Sequence, residues 1–248
     1  MVVTFPGIRI VPWSPELPLD QVVATLGLVP RRIAVRITGG CADMSAQDAI
    51  GVQELFEEAF DGFSGLLLIG GTRMIKNMDP SDVLFGITEI GPAIRRANPN
   101  CRVLGVVPRC KDFTFCSDPP VLVVRGSEGD FMTIVHPDQD IVIAAATPLT
   151  KESVWDDEVV CCQYITNTLV HYGGWKSLLV AYNGGGTTER EIIGTAKRMG
   201  PVLLVKGSGR VCDKLAEDQD FLAAHPTVST CERTAASLRL ALQHHSAI

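Results

Sequence analysis

Four apolar segments of this chain end in small residues, mostly glycine, and this arrangement restricts the fold more than any other feature. Each segment is rich in Val, Leu and Ile without polar alternation, which is typical of strands buried on both faces of a parallel sheet. The segments are Ile33–Gly40 (IAVRITGG), Leu66–Arg73 (LLLIGGTR), Ser177–Gly186 (SLLVAYNGGG) and Val202–Arg210 (VLLVKGSGR). Because ligands bind beyond the carboxyl ends of such strands, the four turns predict one shared cleft.

The alternation of strand-like and helix-like stretches predicts the fold class: α/β, with a single doubly wound, Rossmann-like parallel sheet and helices on both faces. Helices are expected at 46–60, 80–97, 158–172, 188–199, 210–223 and 232–245. The stretch Cys110–Gly129 is interpreted as an insertion or hairpin, since nothing in it resembles an interdomain linker. We therefore expect residues 1–248 to form one domain, with a core at about 30–225 and a C-terminal helix at 232–245.

Composition and charge narrow the function classes. Hydrophobic residues make up 46% of the 248 residues, enough for a sizeable core. The net charge of −6 comes without a basic block, so a nucleic-acid duplex is not an expected partner. No apolar run approaches the roughly 20 residues that span a membrane, and the N-terminus lacks a signal-peptide pattern. These features predict a cytoplasmic protein without a membrane partner.

The cysteines give no sign of a metal site or a disulfide framework. There are eight of them, none in a CxxC pair, and Cys161 and Cys162 are adjacent. We expect buried free thiols in a reducing cytosol. Neither a metal nor a cofactor is expected.

The turn from Asn183 to Glu191 (NGGGTTERE) is the most informative of the four. Its three glycines, Gly184, Gly185 and Gly186, allow positive φ angles and bring backbone N–H groups close to a ligand. Thr187 and Thr188 then stand at a helix start, where N–H donors are unpaired and the helix dipole is positive. This construction is typical of a phosphate site. The alternative is a tight connection that binds nothing.

Charged side chains beside the turns are further candidates. Arg210 follows Gly207-Ser208-Gly209, where its guanidinium and the helix N–H groups are placed to bind one phosphate. Arg73 and Arg109 follow strand ends and are either phosphate partners or ordinary surface arginines. Glu191 is predicted to bind ribose hydroxyls, or else to supply favourable charge in the first helical turn. The run Asp156–Glu158 is interpreted as negative charge at a helix start.

Several of these motifs together resemble one known superfamily. They are Ile37-Thr38-Gly39-Gly40, Gly70-Gly71-Thr72-Arg73, VLGVVP at 103–108, Gly184-Gly185-Gly186-Thr187 and Lys206-Gly207-Ser208-Gly209-Arg210-Val211-Cys212-Asp213. Over about residues 30–225 the chain resembles the SLOG superfamily, which includes the "lonely guy" phosphoribohydrolases and nucleotide-sensing domains of bacterial conflict systems. It is most similar to a prokaryotic version of the LSDAT branch, found in the cytosolic N-terminal region of melastatin-type TRP channels. The similarity to that branch's GSGRxxD signature is the most specific.

The resemblance implies binding or sensing of a nucleotide-derived small molecule, such as an ADP-ribose-like compound or a nucleoside phosphate. It also implies an alternative, hydrolysis of a nucleoside monophosphate or related ribosyl phosphate with Glu191 as a catalytic group. The phosphoribohydrolase motif PGGxGTxxE is altered here, since Asn183 replaces the proline and Thr187 a glycine. Those enzymes also carry a catalytic arginine on the preceding helix, and Val154–Tyr172 contains no Arg or Lys. The missing cation favours binding over catalysis.

The predicted ligand site combines the glycine turns with the polar side chains beside them. Its residues are Gly39, Gly40, Gly70, Gly71, Thr72, Arg73, Arg109, Gly184, Gly185, Gly186, Thr187, Thr188, Glu191, Gly207, Ser208, Gly209 and Arg210. The expected partner is a small nucleotide ligand. A sensor of this kind would transmit its signal through a homo-oligomer or a separate effector protein, and a scaffold domain with an empty cleft is a third interpretation.

Overall fold

A nine-stranded sheet forms the centre of the protein in the computed structural model. The structure describes residues 3–5, 8–12, 31–40, 44–75, 83–84, 86–108, 121–126, 129–136, 138–144 and 155–247. The strands of this sheet are β1 (Val3–Phe5), β2 (Ile8–Pro12), β3 (Ile33–Gly40), β4 (Leu66–Gly70), β7 (Arg102–Val107), β10 (Ile141–Ala144), β11 (Lys176–Asn183), β12 (Val202–Lys206) and β13 (Val228–Glu232). Their order is β1-β2-β10-β7-β4-β3-β11-β12-β13, and every neighbouring pair is parallel except β1 with β2.

Helices cover both faces of this sheet. They are α1 (Ala46–Ala59), α2 (Ile90–Ala97), α3 (Trp155–Gly173), α4 (Gly186–Lys197), α5 (Arg210–Glu217), α6 (Gln219–Ala224) and α7 (Ala235–His244), with a 3₁₀ turn at Ile87–Glu89. On one face, Val35 and Ile37 of β3 share a hydrophobic cluster with residues of α1, α2 and α7. On the other face, α3, α4 and α5 pack on alternate strand residues. The doubly wound α/β fold is thus confirmed.

The four strands with glycine-rich ends lie side by side. Their order is β4-β3-β11-β12, and each neighbouring pair is parallel. Parallel strands carry their carboxyl ends to the same edge, so the prediction that the four turns meet at one edge is confirmed. This edge is where the candidate site lies.

A second, smaller sheet was not expected from the sequence. It consists of four antiparallel strands in the order β6 (Val83–Leu84), β5 (Thr72–Ile75), β9 (Gly129–Val135) and β8 (Val121–Gly126). The β8–β9 hairpin overlaps the predicted insertion Cys110–Gly129, of which 110–120 and 127–128 lie outside the described residues. Short apolar runs such as these do not reveal which partner they pair with.

Two helix predictions differ from the structure in a way that has a local cause. The predicted helix 80–97 is wrong before α2, because Val83–Leu84 form a strand, Gly86 is extended and Ile87–Glu89 form a 3₁₀ turn; residues 80–82 and 85 lie outside the described residues. The predicted helix 210–223 is broken at Asp218, whose side chain accepts a hydrogen bond from Phe221 N–H and caps α6. Aspartate favours this cap position over a helix interior. The strands β1 and β2 were not predicted.

Candidate ligand-binding cleft

A cleft of about 200 Å³ opens at the carboxyl ends of β3 and β4, beside the start of α4. A water molecule occupies about 30 Å³ of liquid, so the cleft admits a small organic molecule. The lining residues come from six elements: Arg36, Ile37, Thr38, Gly39 and Gly40 of β3, Gly70 of β4, Thr72 of β5, Gly86, Ile87 and Thr88 at the 3₁₀ turn, Glu158 of α3, and Thr187, Thr188 and Glu191 of α4.

The turn between β11 and α4 has the left-handed backbone that its sequence predicts. Asn183 has φ of 56° and Gly184 has φ of 91°. A side chain on Gly184 would also meet Thr188, because an ideal Cβ there would lie 2.5 Å from Thr188 Cγ2. On the neighbouring strand, a Cβ on Gly39 would collide with the carbonyl oxygen of Tyr182. Glycine is therefore required for the close approach of these two segments.

The Gly207-Ser208-Gly209 turn makes internal hydrogen bonds and does not line the cleft. The carboxylate of Asp213 accepts hydrogen bonds from the N–H groups of Gly207 (2.7 Å) and Gly209 (3.0 Å). The hydroxyl of Ser208 accepts from Asn183 N–H at 2.8 Å and donates to the carbonyl of Val205. This turn therefore fastens the start of α5 to the end of β11.

Arg210 reaches from this turn to the mouth of the cleft. Its guanidinium lies over two glycines, since an ideal Cβ on Gly185 would be 3.0 Å from Nη2 and one on Gly40 would be 3.6 Å from Nη1. Arg210 is exposed, and its side chain has no hydrogen-bond or ion-pair partner among the described residues. Its φ of 49° is unusual for a non-glycine residue. The guanidinium is thus available to an anion at the mouth of the cleft.

A buried ion-pair cluster closes the floor of the cleft. Arg36 Nε donates to Glu191 Oε1 at 2.8 Å, and Arg36 Nη2 donates to Glu158 Oε1 at 2.9 Å. The side chains of Arg36, Glu158 and Glu191 are only 7%, 12% and 2% exposed. Arg36 lies in the middle of β3, opposite Leu179 of β11, and so faces α3 and α4. A charge inside a sheet needs such partners because its desolvation is otherwise too costly.

The cluster contains two carboxylates and one guanidinium, which affects its protonation. Burial raises the pKa of Glu158, the Arg36 charge lowers it, and repulsion from Glu191 raises it again. The result is a pKa above that of an ordinary glutamate. Glu158 therefore holds a proton more readily than an exposed carboxylate would.

Arg73 is engaged in a second cluster behind the cleft wall. Its Nε and Nη2 donate to the two carboxylate oxygens of Glu89 at 2.7 and 2.8 Å. Buried His136 contacts Glu89 Oε2 through Nε2 at 3.1 Å, while its Nδ1 accepts from Asp138 N–H. Burial tends to raise the pKa of Glu89, but the hydrogen bonds from His136 and Arg73 and the positive charge of Arg73 lower it below its ordinary value. The cluster anchors the 3₁₀ turn that carries Ile87 and Thr88.

The structure brings together part of the predicted site. Seven of the predicted residues line the cleft: Gly39, Gly40, Gly70, Thr72, Thr187, Thr188 and Glu191. Gly185 and Arg210 lie at its mouth. The lining does not include Gly71, Arg73, Gly184, Gly186, Gly207, Ser208 and Gly209. Gly71 has a packing role, because its N–H donates to the carbonyl of Val106 and a Cβ there would meet Val107. Arg109 lies outside the described residues.

Sequence reasoning missed two charged groups of the cleft, Arg36 and Glu158. Arg36 stands in a segment that was itself predicted to be buried on both faces. Arginine is almost never fully buried unless it is paired, so an arginine within IAVRITGG indicates a buried ion pair. Glu158 was interpreted only as a helix-start charge, and nothing in its sequence neighbourhood distinguishes that role from a place in a cleft.

The cysteines that the structure describes are buried free thiols, as expected from composition. Cys101, Cys161, Cys162, Cys212 and Cys231 are free and buried, while Cys41, Cys110 and Cys116 lie outside the described residues. Burial raises the pKa of Cys101 and of Cys212 to about 12, so these thiols are unreactive at neutral pH. Within the described ranges, no cluster of His, Cys, Asp and Glu is suited to a metal ion, and no helix has the length and hydropathy to span a membrane.

Comparisons with known proteins relate the chain to others through its fold. No family model matches the sequence, and no curated protein is significantly similar to it. The molybdenum cofactor carrier protein from Chlamydomonas reinhardtii superimposes with a TM-score of 0.51 and 17% identity, over 88% of this chain and 100% of that one. The molybdenum cofactor binding protein from the phototrophic bacterium Rippkaea orientalis gives 0.50 and 15%, over 88% and 98%. At these identities the likeness establishes a shared Rossmann-like α/β fold.

Proposed function

We propose that the cleft binds a phosphorylated, nucleotide-derived small molecule. The observation that carries this proposal is the convergence on one opening of a helix start and an arginine that has no partner within the described ranges. Thr187 and Thr188 lie in the first turn of α4 and line the cleft, and the Arg210 guanidinium lies over Gly40 and Gly185 at its mouth. A helix N-terminus with a nearby cation favours a phosphate.

The two ends of the cleft differ in charge, and this difference suggests how such a ligand is oriented. The exposed end offers Arg210 and the positive end of the α4 dipole. The buried end contains Glu158 and Glu191 around Arg36. Carboxylates accept hydrogen bonds from sugar hydroxyls and repel phosphate. We therefore place the phosphate at the mouth and the ribose at the floor.

The proposal extends to the family and the class of ligand. We propose that residues 1–248 form one SLOG-like domain, and that the LSDAT branch is the nearest part of that superfamily. An ADP-ribose-like compound or a nucleoside phosphate fits the charge distribution of the cleft. The solved neighbours are named as carrying or binding the molybdenum cofactor, so that cofactor belongs among the compounds tested.

Calorimetric titration with a panel of ligands tests the proposal. AMP, CMP, ADP-ribose, ribose 5-phosphate and the molybdenum cofactor are compared with adenosine, which lacks a phosphate. Arg210→Ala should weaken binding of the preferred ligand by about 1.5–3 kcal/mol, the range for a charge-assisted hydrogen bond. Lys214→Ala is the matched control, because Lys214 is an exposed cation on the same helix that pairs with Glu189. Unchanged affinity in a folded Arg210→Ala protein would rule out its role.

Hydrolysis of an N-glycosidic bond is the second candidate function, and one specific observation favours it. Helix α3 lacks the cation expected from the enzymes that the sequence resembles, but Arg36 brings a guanidinium to Glu191 from β3. Such cleavage needs a carboxylate beside the oxocarbenium-like sugar and a cation or acid near the leaving group.

Chromatography of wild-type protein incubated with AMP, CMP and ADP-ribose separates the two functions. We expect binding without release of free base or ribose phosphate above background. Turnover that disappears in both Glu191→Gln and Arg36→Gln, with folding retained, would replace the binding function with the hydrolytic one.

A further inference from the structure

A second cavity lies between α3 and α4, on the same face of the sheet as the Arg36 cluster. Its volume is about 240 Å³, and its walls include Ser177, Leu178 and Leu179 of β11. These residues belong to the amino-terminal half of the strand, whereas the cleft lies at the carboxyl-terminal end. Arg36 and Glu191 line both cavities. Their ion pair therefore separates the second cavity from the cleft.

We propose that this second cavity is a binding site for a small organic monocarboxylate. The first reason is an unpaired donor on Arg36. Its Nε and Nη2 are used by Glu191 and Glu158, but its buried Nη1 has no hydrogen-bond partner among the described residues. Arg36 is 6% exposed, and leaving such a donor without an acceptor is costly. A ligand oxygen in the cavity would satisfy it.

The second reason is that the other wall of the cavity also presents donors. An ideal Cβ on Gly194 would lie 2.9 Å from Gln163 Nε2 and 3.5 Å from Arg198 Nη2, so these groups meet above that glycine. Gln163 and Arg198 both line the cavity. Arg198 has no ion-pair partner in the part of the chain that the structure describes. Residues that carry hydrogen-bond donors thus line the cavity from β3, from α3 and from just beyond the end of α4.

The charges around the cavity favour a monoanion over a dianion. Arg36 and Arg198 supply two positive charges, and Glu158 and Glu191 offset them with two negative ones. A carboxylate adds one negative charge and accepts several hydrogen bonds, whereas a phosphate dianion is repelled by the two buried glutamates. Val170 and Leu178 form apolar parts of the wall and suit a short hydrocarbon body. Isobutyrate has this combination of groups.

Nuclear magnetic resonance on ¹⁵N-labelled protein tests the site with isobutyrate as the probe. The amide signal of Gly194 and the side-chain signals of Gln163 and Arg36 should shift in a saturable manner. Isobutyramide, the neutral isostere, and inorganic phosphate should shift them more weakly at equal concentration. Absence of saturable shifts with isobutyrate, or equal affinity for isobutyramide, would overturn the proposal.

Substitutions at two neighbouring residues, Arg198 and Lys197, test where the carboxylate binds. Arg198→Gln should weaken isobutyrate binding by about two- to fivefold, which lies within the range for a solvent-exposed charge pair. Lys197→Gln is the matched control, because Lys197 is exposed on the same turn and does not line the cavity, and it should leave the affinity unchanged. Equal effects of the two substitutions would refute a specific contact with Arg198. The second cavity shares Arg36 and Glu191 with the cleft but not Arg198, so nucleotide titration of the Arg198→Gln and Lys197→Gln variants measures the cleft separately.

Discussion

Removal of Arg36 is the perturbation that tests the cleft cluster most directly. Arg36→Met keeps most of the side-chain volume but leaves the Glu158 and Glu191 carboxylates together without a counter-charge. Removing one partner of a buried ion pair costs about 3–5 kcal/mol, because the other charge stays buried. All three side chains are at most 12% exposed, so solvent screening offsets little of this cost. We expect a loss of about 3–5 kcal/mol in the free energy of unfolding at pH 7.

The size of this loss should depend on pH in a defined direction. Burial and mutual repulsion raise carboxyl pKa values, as they already do for Glu158 in the native protein. A folded state with a raised carboxyl pKa binds more protons than the unfolded state, so stability falls as pH rises through that range. The destabilisation of Arg36→Met should therefore shrink as the pH is lowered from 7 to about 5, which is still above the ordinary glutamate pKa of about 4.3.

Urea denaturation followed by circular dichroism at both pH values measures this effect. The triple variant Arg36→Met, Glu158→Gln, Glu191→Gln removes all three charges and should recover a large part of the lost stability at pH 7. Lys214→Met breaks only the exposed pair with Glu189 and should leave the unfolding midpoint unchanged. A loss below about 1 kcal/mol, typical of surface pairs, or a loss independent of pH would refute the assignment of a buried, charge-bearing cluster.

Three further changes test the turns and the wall of the cleft. Gly184→Ala should destabilise the protein by more than Gly174→Ala. Both glycines have positive φ, which costs an alanine about 1–2 kcal/mol, but only at Gly184 would the added Cβ also meet Thr188. Equal losses of stability in thermal unfolding would contradict this. Glu89→Gln should lower the free energy of unfolding by about 1–3 kcal/mol at pH 7, because the native pKa of Glu89 is lowered. The contribution of Glu89 to stability is present above the ordinary carboxyl pKa and is lost as pH falls through the lowered pKa. Urea unfolding curves of the two proteins should therefore converge in acid. Asp213→Asn should speed hydrogen exchange at the Gly207 and Gly209 amides by about tenfold, and unchanged exchange would show that the carboxylate does not hold this turn.

The fold and the position of the cleft could be predicted because their signals are local. Each of the strands β3, β4, β11 and β12 is rich in Val, Leu, Ile or Ala and either ends in glycine or is followed by it, and both features are visible within ten residues. Continuous runs predict parallel strands buried on both faces, and parallel strands end at one edge. These two rules predict the edge of the sheet at which the cleft lies, without knowledge of any long-range contact.

The charged partners in the cleft could not be predicted, since they are distant in sequence. Arg36 pairs with Glu191 across 155 residues and with Glu158 across 122. The partner of Arg73 could not be predicted either, although it is nearer in sequence. Arg73 follows a glycine turn, as an arginine that binds a phosphate does, but both carboxylate oxygens of Glu89 on the 3₁₀ turn accept its hydrogen bonds. The composition of a turn predicts that an anion can be bound there. It does not predict whether the anion is a ligand or a carboxylate of the protein itself.

The position of the cation has a consequence for the polarity of the cleft. Helix α3 provides Glu158 to the buried cluster, whereas the guanidinium comes from Arg36 of β3. The buried floor thus gains a second carboxylate, and one guanidinium cannot neutralise both. Positive charge is left at the exposed mouth, where Arg210 and the start of α4 lie. Under the proposed function, a phosphate would therefore lie at the mouth and the neutral hydroxyl groups of the ligand would face Glu158 and Glu191, because the charges of the two ends differ.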